Sequence, residues 1–247
     1  MSKTQSNIKL FDKSFSENKT LEYELFIQLS QHNFKYTILD VHQKTFIALE
    51  IFQFSAIYEP VRKIIASTPL LKKEFKSVNL SYINNRTTLV PNAIFVKNEL
   101  KSFHQFNFDL QDEDSFFCDK LINLDAHNVY SIPDFIINEF KTLKKITFKH
   151  FSTSLIEASI LHAKTNNMLS LIDVNVLPNS FQIIVIKNQK LALYNSFNYQ
   201  TSEDFIYYLL FVLEQLNINS KEATIRLLGE VEKNSAIYTI LHHYIKT

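Results

Sequence analysis

Apolar and polar positions alternate, or run apolar, through residues 25–29, 34–40 and 45–54, which predicts three β-strands in close, hairpin-like succession. Val61, Ile64 and Ile65 then fall at helical spacing, opened by Glu59-Pro60 and closed by Pro69. Strands at 77–83 and 88–90 and a short element after Pro91 complete a βββαβ order. The order returns with strands at 168–174, 181–187 and 190–199 and a helix from Ser202 to about 216. Thr201 or Ser202 can cap that helix, and Glu203 and Asp204 suit its positive end. A strand at 224–228 follows, then a terminal helix from Asn234 with Ile237, Ile240, Leu241 and Tyr244 at i, i+3, i+4, i+7 spacing. One order met twice, roughly 140 residues apart, predicts an internal duplication.

Between the copies, residues 98–167 hold an acidic stretch (Asp109, Asp112, Glu113, Asp114), strands near 119–124 and 128–131, and a helix from Pro133 to about 144. A strand at 146–148 precedes a helix whose Ser154-Leu155-Ile156-Glu157 fits a capping box. No Gly/Pro/Ser-rich linker separates the halves. The expectation is an α/β chain of two βββαβα lobes, 1–150 and 151–247, with disorder confined to the polar first ~20 residues.

Composition removes whole classes of chemistry. The chain has 247 residues and a single glycine, Gly229, where an average composition would give roughly 17. Glycine-rich dinucleotide turns, Walker and kinase loops and the G-x-S-x-G elbow each need two or more. Lys and Arg total 26 against 25 Asp and Glu, a net charge of +1, so no broad footprint for nucleic acid or anionic lipid is expected. Lys141, Lys144, Lys145 and Lys149 read as the solvent face of a helix. Residues 1–18 hold no apolar stretch of signal-peptide length, and the longest apolar run, 205–213, is too short to span a membrane. One cysteine, Cys118, admits no internal disulfide, and a cytoplasmic setting is expected.

Two βββαβα lobes joined by a crossover helix resemble the actin-like ATPase fold (ribonuclease H-like) of actin, sugar kinases and Hsp70-type ATPases. Val129-Tyr130-Ser131-Ile132-Pro133, a helix, His150-Phe151, Ser154-Leu155 and the hairpin from Met168 resemble the cytoplasmic pilus-assembly and secretion-platform members. Leu89-Val90-Pro91, Asn128-Val129-Tyr130, Leu193-Tyr194-Asn195 and Glu203-Asp204-Phe205 through Leu210-Phe211 are similar, from about Leu21 onward, to an uncharacterised bacterial family known as a domain of unknown function.

The resemblance implies a nucleotide cleft between the lobes, whose motifs can be checked by position. The first phosphate loop, Asp-x-Gly, falls on Gln28-Leu29-Ser30, lacking both charge and glycine. The second, Asp-x-Gly-Gly-Gly, falls on Asn175-Val176-Leu177-Pro178-Asn179, where proline also removes an amide donor. The adenosine motif, Gly-Gly, falls on Gly229-Glu230, and a glycine-rich turn before the lobe-two helix on Tyr199-Gln200. These departures remove anion-binding features, so no cofactor is expected.

Eight histidines are scattered without the i, i+4 spacing of a zinc protease, and the acidic stretch lacks the EF-hand spacing and glycine. Structural or solvent roles are expected for all of them. Cys118 beside Phe116-Phe117 reads as a buried or half-buried thiol. Tyr194, Phe197, Tyr199, Tyr207 and Tyr208 are candidates for a protein-contacting surface. The expected function is a non-catalytic, pseudo-ATPase interaction or assembly module acting through a protein partner or self-association. The alternatives are nucleotide binding through Ser30, Asn175 and Asn179, or a small-ligand enzyme using the cleft with carboxylates such as Asp40 or Glu230.

Overall fold

The computed structural model describes residues 6–54, 57–111, 113–219 and 224–245; Asp112 of the acidic stretch lies outside them. The chain divides into two compact units, Met1–Leu121 with Asp125–Thr153 and Ile122–Leu124 with Ser154–Thr247.

The first unit contains β1 (Ser6–Phe11), β2 (Tyr23–Leu29), β3 (Asn33–Asp40), β4 (Thr45–Gln53), α1 (Tyr58–Ser67), β5 (Ser77–Tyr82) and β6 (Thr87–Pro91). α2 (Leu100–Gln105), β7 (Asp114–Leu121), β8 (Ala126–Pro133), α3 (Asp134–Phe140) and β9 (Ile146–His150) follow. Six strands make one sheet in the order β1-β4-β3-β2-β5-β9, and β6-β8-β7 make a smaller antiparallel one. Strict alternation buries Tyr23, Leu25, Ile27 and Leu29 on β2 and Phe34, Tyr36 and Ile38 on β3. Against that face pack Val61 and Ile64 of α1 and Ile136 and Phe140 of α3, with Phe34 and Phe140 stacked at 6.2 Å. Glu50 sits on this buried row opposite Tyr36. It is tolerated there because the Tyr36 hydroxyl donates to its carboxylate and Lys9 Nζ lies 3.6 Å away.

Two expectations are corrected. Residues 6–11, assigned by composition to a disordered leader, form β1, which pairs antiparallel with β4 and lays Ile8 and Leu10 beside Ile51 and Leu49. Within the polar N-terminal stretch Ile8 and Leu10 alternate with Asn7 and Lys9, and β4 offers that apolar row a neighbour to pair with. The helix expected to reach residue 144 stops at Phe140, so Lys144 and Lys145 lie in the turn before β9 and Lys149 lies on that strand.

α4 (Phe151–Thr165) leads into β10 (Ser170–Leu177), β11 (Ser180–Lys187), β12 (Lys190–Asn198), α5 (Ser202–Gln215), β13 (Ile225–Gly229) and α6 (Ala236–Tyr244). The sheet order β12-β11-β10-β13 repeats β4-β3-β2-β5, including antiparallel hairpins and a parallel fourth strand that follows a helix. This is the duplication expected from the pattern. β11 is buried on both faces: Phe181, Ile183 and Val185 meet Phe205, Leu209 and Val212 of α5 and Leu241 of α6. On the opposite face the α4 hydroxyl of Ser159 donates to Asp173 of β10 at 2.5 Å, and Arg226 of β13 grips the same carboxylate with two bonds, at 2.6 and 2.7 Å. Asp173 is therefore a buried charge with every oxygen engaged.

Candidate functional site

Gln28 and Ser30 stand at the end of β2 and in its turn to β3. Gln28 is half-buried between Lys35 and Ser81 on neighbouring strands. Ser30 is buried, and its Oγ accepts from the amides of His32 at 3.2 Å and Asn33 at 3.1 Å. The amides of this turn are thus bonded to a side-chain oxygen of the chain itself. Asp40, named for the alternative enzyme reading, caps the next turn through the amides of His42 and Gln43.

The second unit gathers its own set. Asn175 is buried on β10 and its Nδ2 donates to Gln182 Oε1 at 3.3 Å. Gly229 ends the adjacent β13 at φ +83°, and a Cβ there would stand 2.3 Å from Val176 O and 2.7 Å from Asn175 Oδ1. Glycine is required twice over, for its backbone angle and for space. Three carbonyls at this end of the sheet accept bonds: Val176 O from the Glu230 amide at 2.8 Å, Leu177 O from the Tyr199 hydroxyl at 2.6 Å, and Asn179 O from the Tyr199 amide at 3.1 Å. Burial and the nearby Glu230 carboxylate push the Tyr199 phenol up. Asn175, Asn179, Tyr199, Gly229 and Glu230 therefore share one neighbourhood, in which Asn175 is buried, Tyr199 half-buried, and Asn179, Gly229 and Glu230 exposed.

Of the aromatic side chains named for a contact surface, Tyr199 is half-buried, with its ring against Phe181 and Phe205. Phe197 and Tyr208 stack at 4.9 Å and are half-buried, Tyr194 is half-buried on β12, and Tyr207 is exposed. Phe211, exposed one turn beyond Tyr207, escaped the sequence reading.

A third cluster, in the first unit, was also missed. Asp119 accepts from the Thr153 hydroxyl at 2.7 Å, the His150 amide at 2.9 Å and the Tyr130 hydroxyl at 3.1 Å. Burial still outweighs these bonds and holds its carboxyl above the usual range. His150 is fully buried; Nδ1 accepts from the Ser152 amide and hydroxyl, at 3.2 and 2.6 Å, leaving Nε2 to donate to Asn84 Oδ1 at 3.1 Å. Asn128 Nδ2 donates to both Ser152 and Thr153 at 2.9 Å. Burial lowers the His150 pKa to about 3. The serine–histidine–asparagine chain has the polarity of a catalytic triad, but with Ser152 fully buried its chemistry is to hold the start of α4. Cys118 is half-exposed on β7, its thiol pushed up by burial. Among the described residues no three acidic, histidine or cysteine side chains are grouped to hold a metal.

The family model described as "Protein of unknown function (DUF3822)" matches residues 12–247. The chain belongs to this family. No curated protein matches the chain. Among solved structures, a Bacteroides thetaiotaomicron VPI-5482 protein with an actin-like ATPase fold and unknown function is similar at TM-score 0.86 and 21% identity, over 94% of this chain and 91% of that one. A chain of the PilM–PilN type IV pilus biogenesis complex is similar at TM-score 0.59 and 10% identity, over 92% and 86%. The DUF3822 chain thus has the actin-like ATPase fold. No described helix is long and apolar enough to cross a membrane.

Proposed function

We propose that this DUF3822 protein is a non-catalytic member of the actin-like fold that works as a protein-interaction or assembly module. The observation that carries the reading is Ser30: its hydroxyl consumes the two turn amides that the fold elsewhere offers to phosphate. Pro178 in the corresponding turn of the second unit has no amide to offer, and the Glu230 carboxylate stands where the second glycine of an adenosine motif would be. Protein surface is what remains for function. The likeness to a chain solved within the PilM–PilN complex supports an assembly role, and a lone, half-exposed Cys118 fits a reducing, cytoplasmic setting.

The test is thermal unfolding with and without millimolar MgATP. A ligand at 100 times its dissociation constant adds about 2.7 kcal/mol, or several degrees for a chain this size. No shift is expected. An upward shift that disappears in Ser30→Ala, Asn175→Ala and Asn179→Ala variants would establish nucleotide binding through an unorthodox site instead. Light-scattering mass in the same samples reports whether the chain assembles with itself.

A further inference from the structure

α5 turns Phe205, Leu209 and Val212 into the core and leaves Glu203, Tyr207, Phe211 and Glu214 exposed, at i, i+4, i+8 and i+11 on one face. Tyr207 is 64% and Phe211 44% accessible. Their rings run nearly parallel, 17° apart with centroids at 6.5 Å. The pair is buttressed from below: Tyr207 meets Tyr208 edge-on at 5.4 Å, and Tyr208 stacks on Phe197 at 4.9 Å. Phe197 in turn lies against the buried Phe181. Exposed aromatic rings already fixed by a ladder into the core lose little entropy on binding, which is the profile of a docking hot spot.

Charge says what fits there. Residues 191–220 hold three acidic side chains, Glu203, Asp204 and Glu214, and no lysine, arginine or histidine. Just before this stretch Lys187 reaches the far end of α5, where it is held by the Leu216 carbonyl at 3.0 Å, and Lys190 lies exposed at the start of β12. A second copy pairing antiparallel along α5 would set Glu203 against Glu214, and anionic lipid or nucleic acid would meet the same repulsion. We infer that α5 docks a cationic amphipathic segment of a different protein, with apolar side chains on Tyr207 and Phe211 and basic ones against Glu203 and Glu214. The two carboxylates are spaced about 16 Å along the helix axis, the length of three helical turns. This inference rests on the interaction-module reading and names the site and the chemistry of its partner.

The experiment places the photocrosslinker p-benzoylphenylalanine at Tyr207 and, as controls, at Phe46 and Phe106, which are 65% and 82% exposed elsewhere on the chain. The full-length protein is irradiated in its native cells, and the adducts are sequenced. The expected result is an adduct specific to position 207 on a segment of another protein with net positive charge and two or more apolar side chains. The synthetic peptide of that segment then binds purified protein, losing roughly tenfold or more in Tyr207→Ala/Phe211→Ala and several-fold in Glu203→Gln/Glu214→Gln, with affinity falling as salt rises. An adduct to the chain itself, to nucleic acid or to a neutral or acidic segment overturns the inference. So does a peptide whose affinity neither double variant changes. Adducts at Phe46 or Phe106 but not at Tyr207 overturn it while leaving the module reading standing. No adduct at any of the three positions also overturns the inference, and the module reading is then decided by the unfolding and mass measurements above.

Discussion

Gly229 shows how much one residue position can demand. With φ at +83° and a backbone oxygen 2.3 Å from where a Cβ would stand, Gly229→Ala must displace the end of β13 or of β10. A loss of about 2–4 kcal/mol is expected, combining left-handed strain with steric overlap, read as a lower urea midpoint at unchanged slope. His150 makes a different prediction. Its folded pKa near 3 lies below the ordinary 6.5, so the unfolded chain binds a proton that the folded chain does not. That stabilisation is complete above about pH 6.5 and is lost as pH falls toward 3, at up to about 1.4 kcal/mol per pH unit. His104 and His127, also depressed by burial, add in the same direction. Asp119, raised by burial, opposes them: its contribution is full at low pH and lost as pH rises through its folded value. The urea midpoint of the wild type should fall between pH 7 and pH 4.5, and less steeply in His150→Gln; equal slopes would remove His150 from the account. Gly229 was visible in the sequence because it is the only glycine. The His150 network was not, since only Ser152 is a neighbour in sequence, while Asn84, Asp119 and Asn128 are ordinary polar residues far from it that the strand order brings together.

Helix ends separate what a local pattern can and cannot specify. Thr201 and Asp204 form a reciprocal capping box at the start of α5, with Thr201 Oγ1 accepting the Asp204 amide at 3.1 Å and Asp204 accepting those of Gln200 and Thr201 at 3.0 and 3.1 Å. Those bonds hold the Asp204 carboxyl below its ordinary pKa. The same kind of motif at Ser154–Glu157 forms no cap, because α4 begins three residues earlier at Phe151 and Ser154 lies exposed within it. Glu157 instead accepts from the amides of Ile122 and Asn123 in the β7–β8 turn. A four-residue pattern can be satisfied by any nearby donors, and here tertiary structure supplied the His150–Ser152 bonds for the helix start. Thr201→Ala should therefore cost about 1 kcal/mol, a fall of roughly 2–4 °C in Tm, whereas Ser154→Ala should stay within about 0.5 kcal/mol of wild type. Thermal melts followed by far-UV circular dichroism compare the two directly, and a larger loss at Ser154 would contradict the assignment.

Over the whole molecule, the twice-met order of strands and helices was legible because burial on one sheet face writes a period of two into each strand, and a crossover helix writes a period near 3.6 between them. β1 carries only a short alternation, Asn7-Ile8-Lys9-Leu10, within a polar stretch, and its pairing depends on β4, decided far along the chain, while the tight helical turns around 92–99 carry no such period. The near-absence of glycine also has a consequence for the chain as a whole. Left-handed backbone is needed at tight turns, and here side chains that disfavour it must supply it: Lys44, Lys145 and Gln189 at φ 54°, 57° and 62°, beside Asn167, Asn188, Asn217 and Asn234. Asparagine tolerates this region, but lysine and glutamine pay roughly 1 kcal/mol for it relative to glycine. Lys44→Gly, Lys145→Gly and Gln189→Gly should each stabilise the protein by about 0.5–1 kcal/mol, the loss of strain exceeding the added freedom of the unfolded chain. The three residues lie in separate turns, so the effects should nearly add, giving the triple variant a Tm higher by roughly 3–12 °C. Asn188→Gly should gain less than Gln189→Gly beside it. A triple variant no more stable than the wild type would mean that these turns hold their left-handed residues without strain.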